Sequence, residues 1–202
     1  LYGVELHGLC VQSNHLHEIS TDTKGNHPNY RRAKNSLIAR AMNQELRRKG
    51  SFWEPTDRET AVLGDEDGVV DAYAYSLANP VKDGRVKYGY QWPGLRSKFS
   101  DIGQKIVIKR PKGRFFSDES ELPEEVTMNL TLPPALRHLP FDEAIARLQE
   151  ATADKETTYR REHQKAGRSF VGRRAVRQQN RFEAPKSRTP FRKLNPRIKC
   201  KD

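Results

Sequence analysis

Cysteine is scarce in this 202-residue chain, and long apolar runs are absent. The two cysteines, Cys10 and Cys200, stand near opposite ends, which gives neither a disulfide framework nor the paired spacing of a zinc ribbon. No run reaches the roughly 18 apolar residues of a membrane span, and the opening residues lack the regions of a signal peptide. These absences exclude a disulfide-stapled domain and a membrane-spanning protein, and we expect a cytoplasmic location.

Apolar residues are also few, and basic residues are concentrated in one segment. Hydrophobic residues make up 35% of the chain and charged residues 31%, so we expect part of it to remain solvated. Residues 1–100 carry 14 basic and 12 acidic side chains, residues 101–158 carry 8 and 11, and residues 159–202 carry 15 and 3. Most of the net charge of +11 therefore lies in the C-terminal segment. This favours nucleic acid as a partner, although a solvated tail without a ligand explains the charge equally well.

The first part of the chain shows strand and then helix periodicity. Residues 2–11 and 15–19 alternate around the polar pair Ser13-Asn14, which predicts a β-hairpin. Apolar residues then recur at helical spacing over 30–48, and Gly50 follows as the expected C-cap.

A strand is predicted over 60–63 and a turn over 64–68. Residues 69–78 then predict a helix that ends near Asn79, because the residue before Pro80 is disfavoured in the α region. The order β-hairpin, helix, strand, helix predicts an α+β fold with an antiparallel sheet covered by helices on one face.

The second half of the chain predicts fewer elements. Ile106–Ile108 indicates a strand, and the spacing of Phe141, Ile145 and Leu148 indicates a helix that continues to about His163.

Two histidines in the second predicted strand are the sharpest local feature. His15 and His17 are two residues apart, so their side chains project from the same face of a strand, where two imidazoles can bind a divalent cation. Two surface histidines on a half-exposed strand explain the same pattern. On the predicted helix, Tyr75 and Asn79 share a face and Tyr73 points away from both. A core tyrosine and an ordinary helix end remain the alternative for that pair.

Taken in order along the chain, these motifs resemble those of the single-tyrosine HUH transposases, and most of all the REP-associated tyrosine transposases of bacteria. The resemblance covers about residues 1–97. The matching segments are Ser13-Asn14-His15-Leu16-His17, Asn43 with Gly50-Ser51-Phe52-Trp53, Tyr75-Ser76-Leu77-Ala78-Asn79-Pro80-Val81, Gly84 and Trp92-Pro93.

The resemblance implies a ferredoxin-like domain over residues 1–97, in which the first strand and helix of the family would precede Leu1. It implies that His15, His17 and Asn79 bind Mg²⁺ or Mn²⁺. It also implies that Tyr75 attacks single-stranded DNA near hairpins, so that strands are cut and rejoined through a 5′-phosphotyrosine. Such a protein would be associated with the nucleoid, and a homodimer is compatible with it. The alternative is a domesticated or truncated protein that binds DNA hairpins without cutting them.

Substrate binding is predicted to involve basic residues at both ends of the chain. We expect 98–158 to be a mixed strand and helix extension and 159–202 to be a flexible tail that binds nucleic acid, because arginines alternate there with aromatics. Glu18 stands where the family usually has an apolar residue, and we expect it to face solvent. The candidate DNA-contacting residues are Arg31, Arg32, Lys34, Arg173, Arg174 and Arg177.

Overall fold

The computed structural model describes residues 2–53, 60–112, 115–116, 119, 122–183 and 197–199. Within these ranges the protein has the α+β fold predicted from the sequence. The elements, in chain order, are β1 (Val4–Val11), β2 (Leu16–Asp22), α1 (His27–Glu45), β3 (Ala61–Leu63), α2 (Glu66–Lys82), β4 (Lys105–Lys109), β5 (Glu125–Asn129), α3 (Phe141–Lys165), α4 (Arg173–Gln178) and β6 (Arg197–Lys199).

The predicted β-hairpin is formed by β1 and β2. The two strands are antiparallel, and Cys10 lies opposite His17. A register shift falls near Gly8, where the chain passes close to α2: a Cβ at this position would lie 2.9 Å from the ring of Tyr73. The Tyr73 hydroxyl donates to the carbonyl of His7 at 3.2 Å. A glycine is therefore required where α2 packs against β1.

Helix α1 begins and ends earlier than predicted. Pro28 occupies its first turn, where a missing N–H costs little. The helix ends at Glu45 because Leu46 is the C-cap and Arg47 takes a left-handed conformation with φ of 50°. Gly50 therefore lies in the following loop, and the prediction that it caps the helix is wrong.

Helix α2 runs through the proline that was predicted to end it. The Asp65 side chain caps its N-terminus by accepting from the backbone N–H of Gly68 at 2.6 Å. Pro80 lies in the last turn, so the helix loses only one internal hydrogen bond. The Asn79 carbonyl still accepts from Asp83 at 2.9 Å. The predicted end near Asn79 is thus corrected to Lys82.

One hydrophobic core joins the two halves of the chain. It lies where α2 packs against α3 and the β-hairpin, and Leu77, Leu136 and Leu148 are fully buried within it. His7 is also buried and is within hydrogen-bonding distance of Thr131 and Thr21. The strand and helix content predicted for 98–158 is present, and this region completes the core of the domain.

The strands do not form one antiparallel sheet within the described ranges. β1 pairs with β2 and β4 pairs with β5, both antiparallel, whereas β3 pairs with β6 in parallel. The free edge of β1 instead contacts the segment around Arg96, where the Val11 N–H donates to Leu95 and the Ser97 N–H donates to Leu9, both at 2.8 Å. The predicted strand at Ile106–Ile108 is confirmed as part of β4.

Helices contact both faces of the β-hairpin, which corrects the expectation of one covered face. α2 approaches the face of His15 and His17, where Asn79 and Tyr75 contact the two rings. Glu18 projects from the opposite face because neighbouring residues of a strand alternate, and α1 reaches it through Tyr30 and Lys34. No helix in the described part of the chain is long and apolar enough to cross a membrane.

Candidate metal and tyrosine site

His17 is the second residue of β2, and His15 directly precedes the strand at the end of the β-hairpin turn. The turn is closed by the backbone N–H of Gln12, which donates to the carbonyl of His15 at 2.8 Å. The two imidazole rings are side by side, with centroids 4.9 Å apart and planes at 84°. The prediction that the two imidazoles project side by side is confirmed, although His15 precedes the strand and is not part of it.

Helix α2 brings its tyrosine and asparagine to the same place. Asn79 is buried, and its Oδ1 lies 3.2 Å from Nε2 of His15. The Tyr75 ring meets the His17 ring edge to face, with centroids 5.4 Å apart. All four residues singled out in the sequence therefore meet at one site, although they come from two elements more than 50 residues apart.

The surroundings of His15 favour a cation at its Nε2. Its Nδ1 lies 2.8 Å from the side-chain oxygen of Asn14, and its Nε2 faces the side-chain oxygen of Asn79. A neutral imidazole has one N–H. With that N–H on Nδ1, donating to Asn14, the Nε2 lone pair and the Asn79 oxygen can both bind a cation. The contact with Asn14 also fixes the ring in the way that outer hydrogen bonds orient metal-bound histidines.

The donor set fits a divalent cation. Two imidazoles and a carboxamide oxygen are ligands that several divalent metals accept, and three protein donors leave open positions for a substrate oxygen. No group of three or more His, Cys, Asp or Glu side chains with metal-binding geometry occurs in the described ranges. A cation bound by His15 and His17 would therefore need Asn79 as its third donor among these residues.

Lys82 is a site residue that the sequence reasoning missed. Its Nζ donates to the Tyr75 hydroxyl at 2.7 Å and lies 4.4 Å from the centroid of the Tyr75 ring. The two residues are seven apart, which is two helical turns, and they share one face of α2. The spacing could have predicted this contact from the sequence once Tyr75 was chosen as a candidate site residue.

Two other tyrosines lie near the site and are unsuited to act as nucleophiles. Tyr73 is fully buried, and burial raises its pKa well above the usual range. Tyr159 lies on α3, where burial and then the neighbouring Tyr75 raise its pKa to about 12. Both phenols therefore resist ionisation. Tyr75 is partly exposed, and its hydroxyl accepts from Lys82.

Glu18 does not face solvent as predicted. Its carboxylate forms an ion pair with Lys34 at 2.5 Å and accepts a hydrogen bond from the Tyr30 hydroxyl at 3.1 Å. A mostly buried carboxylate requires such partners, and α1 supplies them. Lys34 was predicted to contact DNA, but its ammonium is paired with Glu18 within the protein.

The other candidate DNA-contacting residues lie on two helices, α1 and α4. Arg31 donates to the Thr60 hydroxyl at 2.8 Å, and Arg32 is exposed on α1. Three further arginines are exposed on α4: Arg173, Arg174 and Arg177.

The basic segment is joined to the folded domain at its beginning. Residues 159–165 belong to α3, and His163 is buried with its Nε2 2.9 Å from the carbonyl of Lys82. The N–H groups of Val171 and Gly172 then donate to the loop after α2, both at 2.9 Å. The predicted flexible tail is therefore ordered up to α4. Residues 184–196 and 200–202, including Cys200, lie outside the described residues.

Comparisons with models of protein families, with curated proteins and with solved structures find no match to this chain.

Proposed function

We propose that this chain is a metal-dependent strand transferase that cuts and rejoins single-stranded DNA near hairpins. The observation that carries the proposal is the meeting of His15, His17, Asn79 and Tyr75 at one partly exposed site. This is the arrangement expected of a single-tyrosine HUH transposase. The proposal also includes a cytoplasmic, nucleoid-associated location.

Tyr75 is the proposed nucleophile. A phenol is a weak nucleophile at neutral pH because little of it is ionised. The Lys82 ammonium donates to the phenol oxygen, so it orients that oxygen and places a positive charge beside the position of the attacked phosphate. When the phenol oxygen attacks phosphorus, a bond from oxygen to phosphorus forms and the bond from phosphorus to the upstream 3′ oxygen breaks. The phenol loses its proton, and the departing 3′ oxygen gains one as a free hydroxyl.

The product of this attack keeps the energy of the broken bond. The downstream strand stays attached to Tyr75 through its 5′ phosphate, and a 3′-hydroxyl can later attack that phosphate to rejoin the strands. Strand exchange therefore requires no nucleoside triphosphate.

His15, His17 and Asn79 would hold Mg²⁺ or Mn²⁺. When bound, such an ion polarises a phosphate oxygen and offsets the charge that develops on it. The chain contributes the orientation of the donors: Asn14 fixes the His15 ring, and burial fixes Asn79.

The proposal is tested by mixing the protein with Mn²⁺ and a DNA hairpin that carries a single-stranded flank. A label on the 3′ end should appear in a protein adduct that survives denaturation, whereas a label on the 5′ end should leave with the released strand. Tyr75→Phe should abolish the adduct, and Tyr159→Phe is the matched control that should keep it. A protein that binds the hairpin but never forms the adduct would be the non-catalytic binding protein instead.

A further inference from the structure

A pair of stacked tyrosines projects from the surface next to α3. The rings of Tyr88 and Tyr90 have centroids 5.7 Å apart and planes at 17°, and Tyr90 is 76% exposed. Two cations face the Tyr88 ring: the Arg160 guanidinium at 4.8 Å and the Lys87 ammonium at 5.8 Å. We call these four residues the stacking platform.

The stacking platform is held in place by its backbone. Residues Gly89–Gln91 form a short 3₁₀ turn, in which the Gln91 side chain accepts from the Tyr88 N–H at 3.3 Å. The Gly89 N–H donates to Glu156 of α3 at 3.1 Å, and a Cβ on Gly89 would lie 2.9 Å from the guanidinium of Arg96. The turn thus packs directly on buried polar groups, and Tyr90 is exposed on a rigid support.

The acidic group beneath the stacking platform is already neutralised. Glu156 lies 3.5 Å from Arg96 and 3.5 Å from Arg160, and its side chain is only 13% exposed. The Thr157 hydroxyl also accepts from Arg160 at 2.8 Å. The surface around the two rings is therefore positive, and Arg160 is oriented before any ligand arrives.

The stacking platform adjoins the elements that carry the candidate site. Trp92, at the end of the same turn, donates from Nε1 to the carbonyl of Val11 at 2.9 Å. Val11 pairs with Leu16, which lies between the two site histidines. On the other side, Arg160 follows Tyr159, the α3 residue next to Tyr75. The stacking platform and the candidate site are therefore both attached to β1 and α3.

We infer that the stacking platform binds an unpaired base of a single DNA strand, which stacks on the exposed face of Tyr90 while Lys87 and Arg160 contact adjoining phosphates. An exposed aromatic face beside cations is how single strands are bound without regard to sequence. The inference rests on the proposed function only for the choice of DNA, because binding at Tyr90 does not require cleavage at Tyr75.

The test uses the full chain with Tyr75→Phe, so that cleavage does not interfere. Fluorescence anisotropy measures the Kd for a labelled DNA hairpin with a single-stranded flank and for the same hairpin without the flank. Tyr90→Ala should weaken binding of the flanked hairpin about tenfold, and Tyr90→Phe should retain it. The salt dependence should not change, because no phosphate contact is lost.

Phe141→Ala is the matched control, because Phe141 is also an exposed aromatic but lies at the opposite end of α3. The inference is overturned if Tyr90→Ala leaves the Kd unchanged, if Tyr90→Phe is equally weak, or if the loss also occurs without the flank. Failure of the proposed function appears separately, as a wild-type protein that forms no adduct while Tyr90→Ala still weakens binding.

Discussion

At the scale of single residues, Lys82 is the side chain that most changes what Tyr75 can do. Its ammonium donates to the phenol oxygen of this proposed nucleophile and also lies against the ring. Because the ammonium orients the phenol oxygen and offsets negative charge that develops beside it in the proposed transition state, Lys82→Ala should slow adduct formation about tenfold or more. The measurement is the initial rate of adduct formation at saturating DNA.

Lys155→Ala is the control for that variant. Lys155 forms an ion pair with Asp71 of α2 at 2.6 Å and so also joins α3 to α2. The Lys155→Ala variant should form the adduct at the wild-type rate. Lys82→Arg should form it faster than Lys82→Ala does. An unchanged rate in Lys82→Ala would remove Lys82 from the reaction.

His15 carries the metal part of the account at the same scale. His15→Ala should abolish the binding of Mn²⁺ measured by calorimetry, because an alanine leaves only two of the three donors. His138→Ala removes an exposed histidine that lies 3.4 Å from Glu66, away from the site, and should bind Mn²⁺ as the wild type does. Equal affinity in the two variants would contradict the proposed ligand set.

Sequence patterns could identify the four site residues but not their surroundings. The period of a strand places His15 with His17, and the period of a helix places Tyr75 with Asn79. The partners of Glu18 could not be predicted in this way, because Lys34 and Tyr30 reach it from another element. The seven-residue spacing places Lys82 on the same helix face as Tyr75. It marks Lys82 as a candidate site residue only once Tyr75 is proposed as the nucleophile.

At the scale of elements, α2 is the support of the candidate site, since it carries Tyr75, Asn79 and Lys82. Its first turn depends on the Asp65 side chain, which accepts from Gly68. Asp65→Ala should lower the free energy of unfolding by about 1 kcal/mol, measured by urea denaturation, because a backbone N–H loses its partner.

Asp65→Asn is the control, because asparagine caps helices as well as aspartate does. Its stability should stay close to that of the wild type. Equal losses in both variants would mean that the carboxylate charge, and not the cap, stabilises the helix.

Pro80 shows why element ends were harder to predict than element types. The residue before a proline tends to leave the α region, and this rule predicted an end at Asn79. The rule fails here because α2 continues for only two residues past Pro80, and Ala78, Asn79 and Pro80 are all buried where the helix packs against the rest of the domain. Other segments supply this packing, so the sequence of the helix alone does not contain it.

At the scale of the whole molecule, the basic C-terminal segment is partly built into the domain. His163 is buried against the end of α2, so a deletion from residue 159 would remove part of the packed structure as well as positive charge. The charge distribution placed a boundary between residues 158 and 159, but α3 runs across it. Composition alone therefore could not show that the basic segment begins inside a packed helix.

Substitution on α4 therefore tests the role of charge more cleanly than deletion. Replacing Arg173, Arg174 and Arg177 with glutamine should weaken binding of single-stranded DNA and reduce its salt slope by about 2, because fewer counterions are released. The slope comes from anisotropy titrations at several salt concentrations. A variant with glutamine at Lys105 and Lys109, exposed on β4, should keep the wild-type slope. An unchanged slope in the α4 variant would exclude α4 from DNA binding.

The most direct test of the account is to find which residue holds the DNA. The wild-type protein is incubated with Mn²⁺ and the flanked hairpin, the adduct is digested with protease and nuclease, and the modified peptide is identified by mass spectrometry. The proposed function predicts a nucleotide that is linked to the Tyr75 oxygen through its 5′ phosphate. A modification on Tyr73, Tyr159 or any other residue would contradict it, as would a protein that carries no attached DNA.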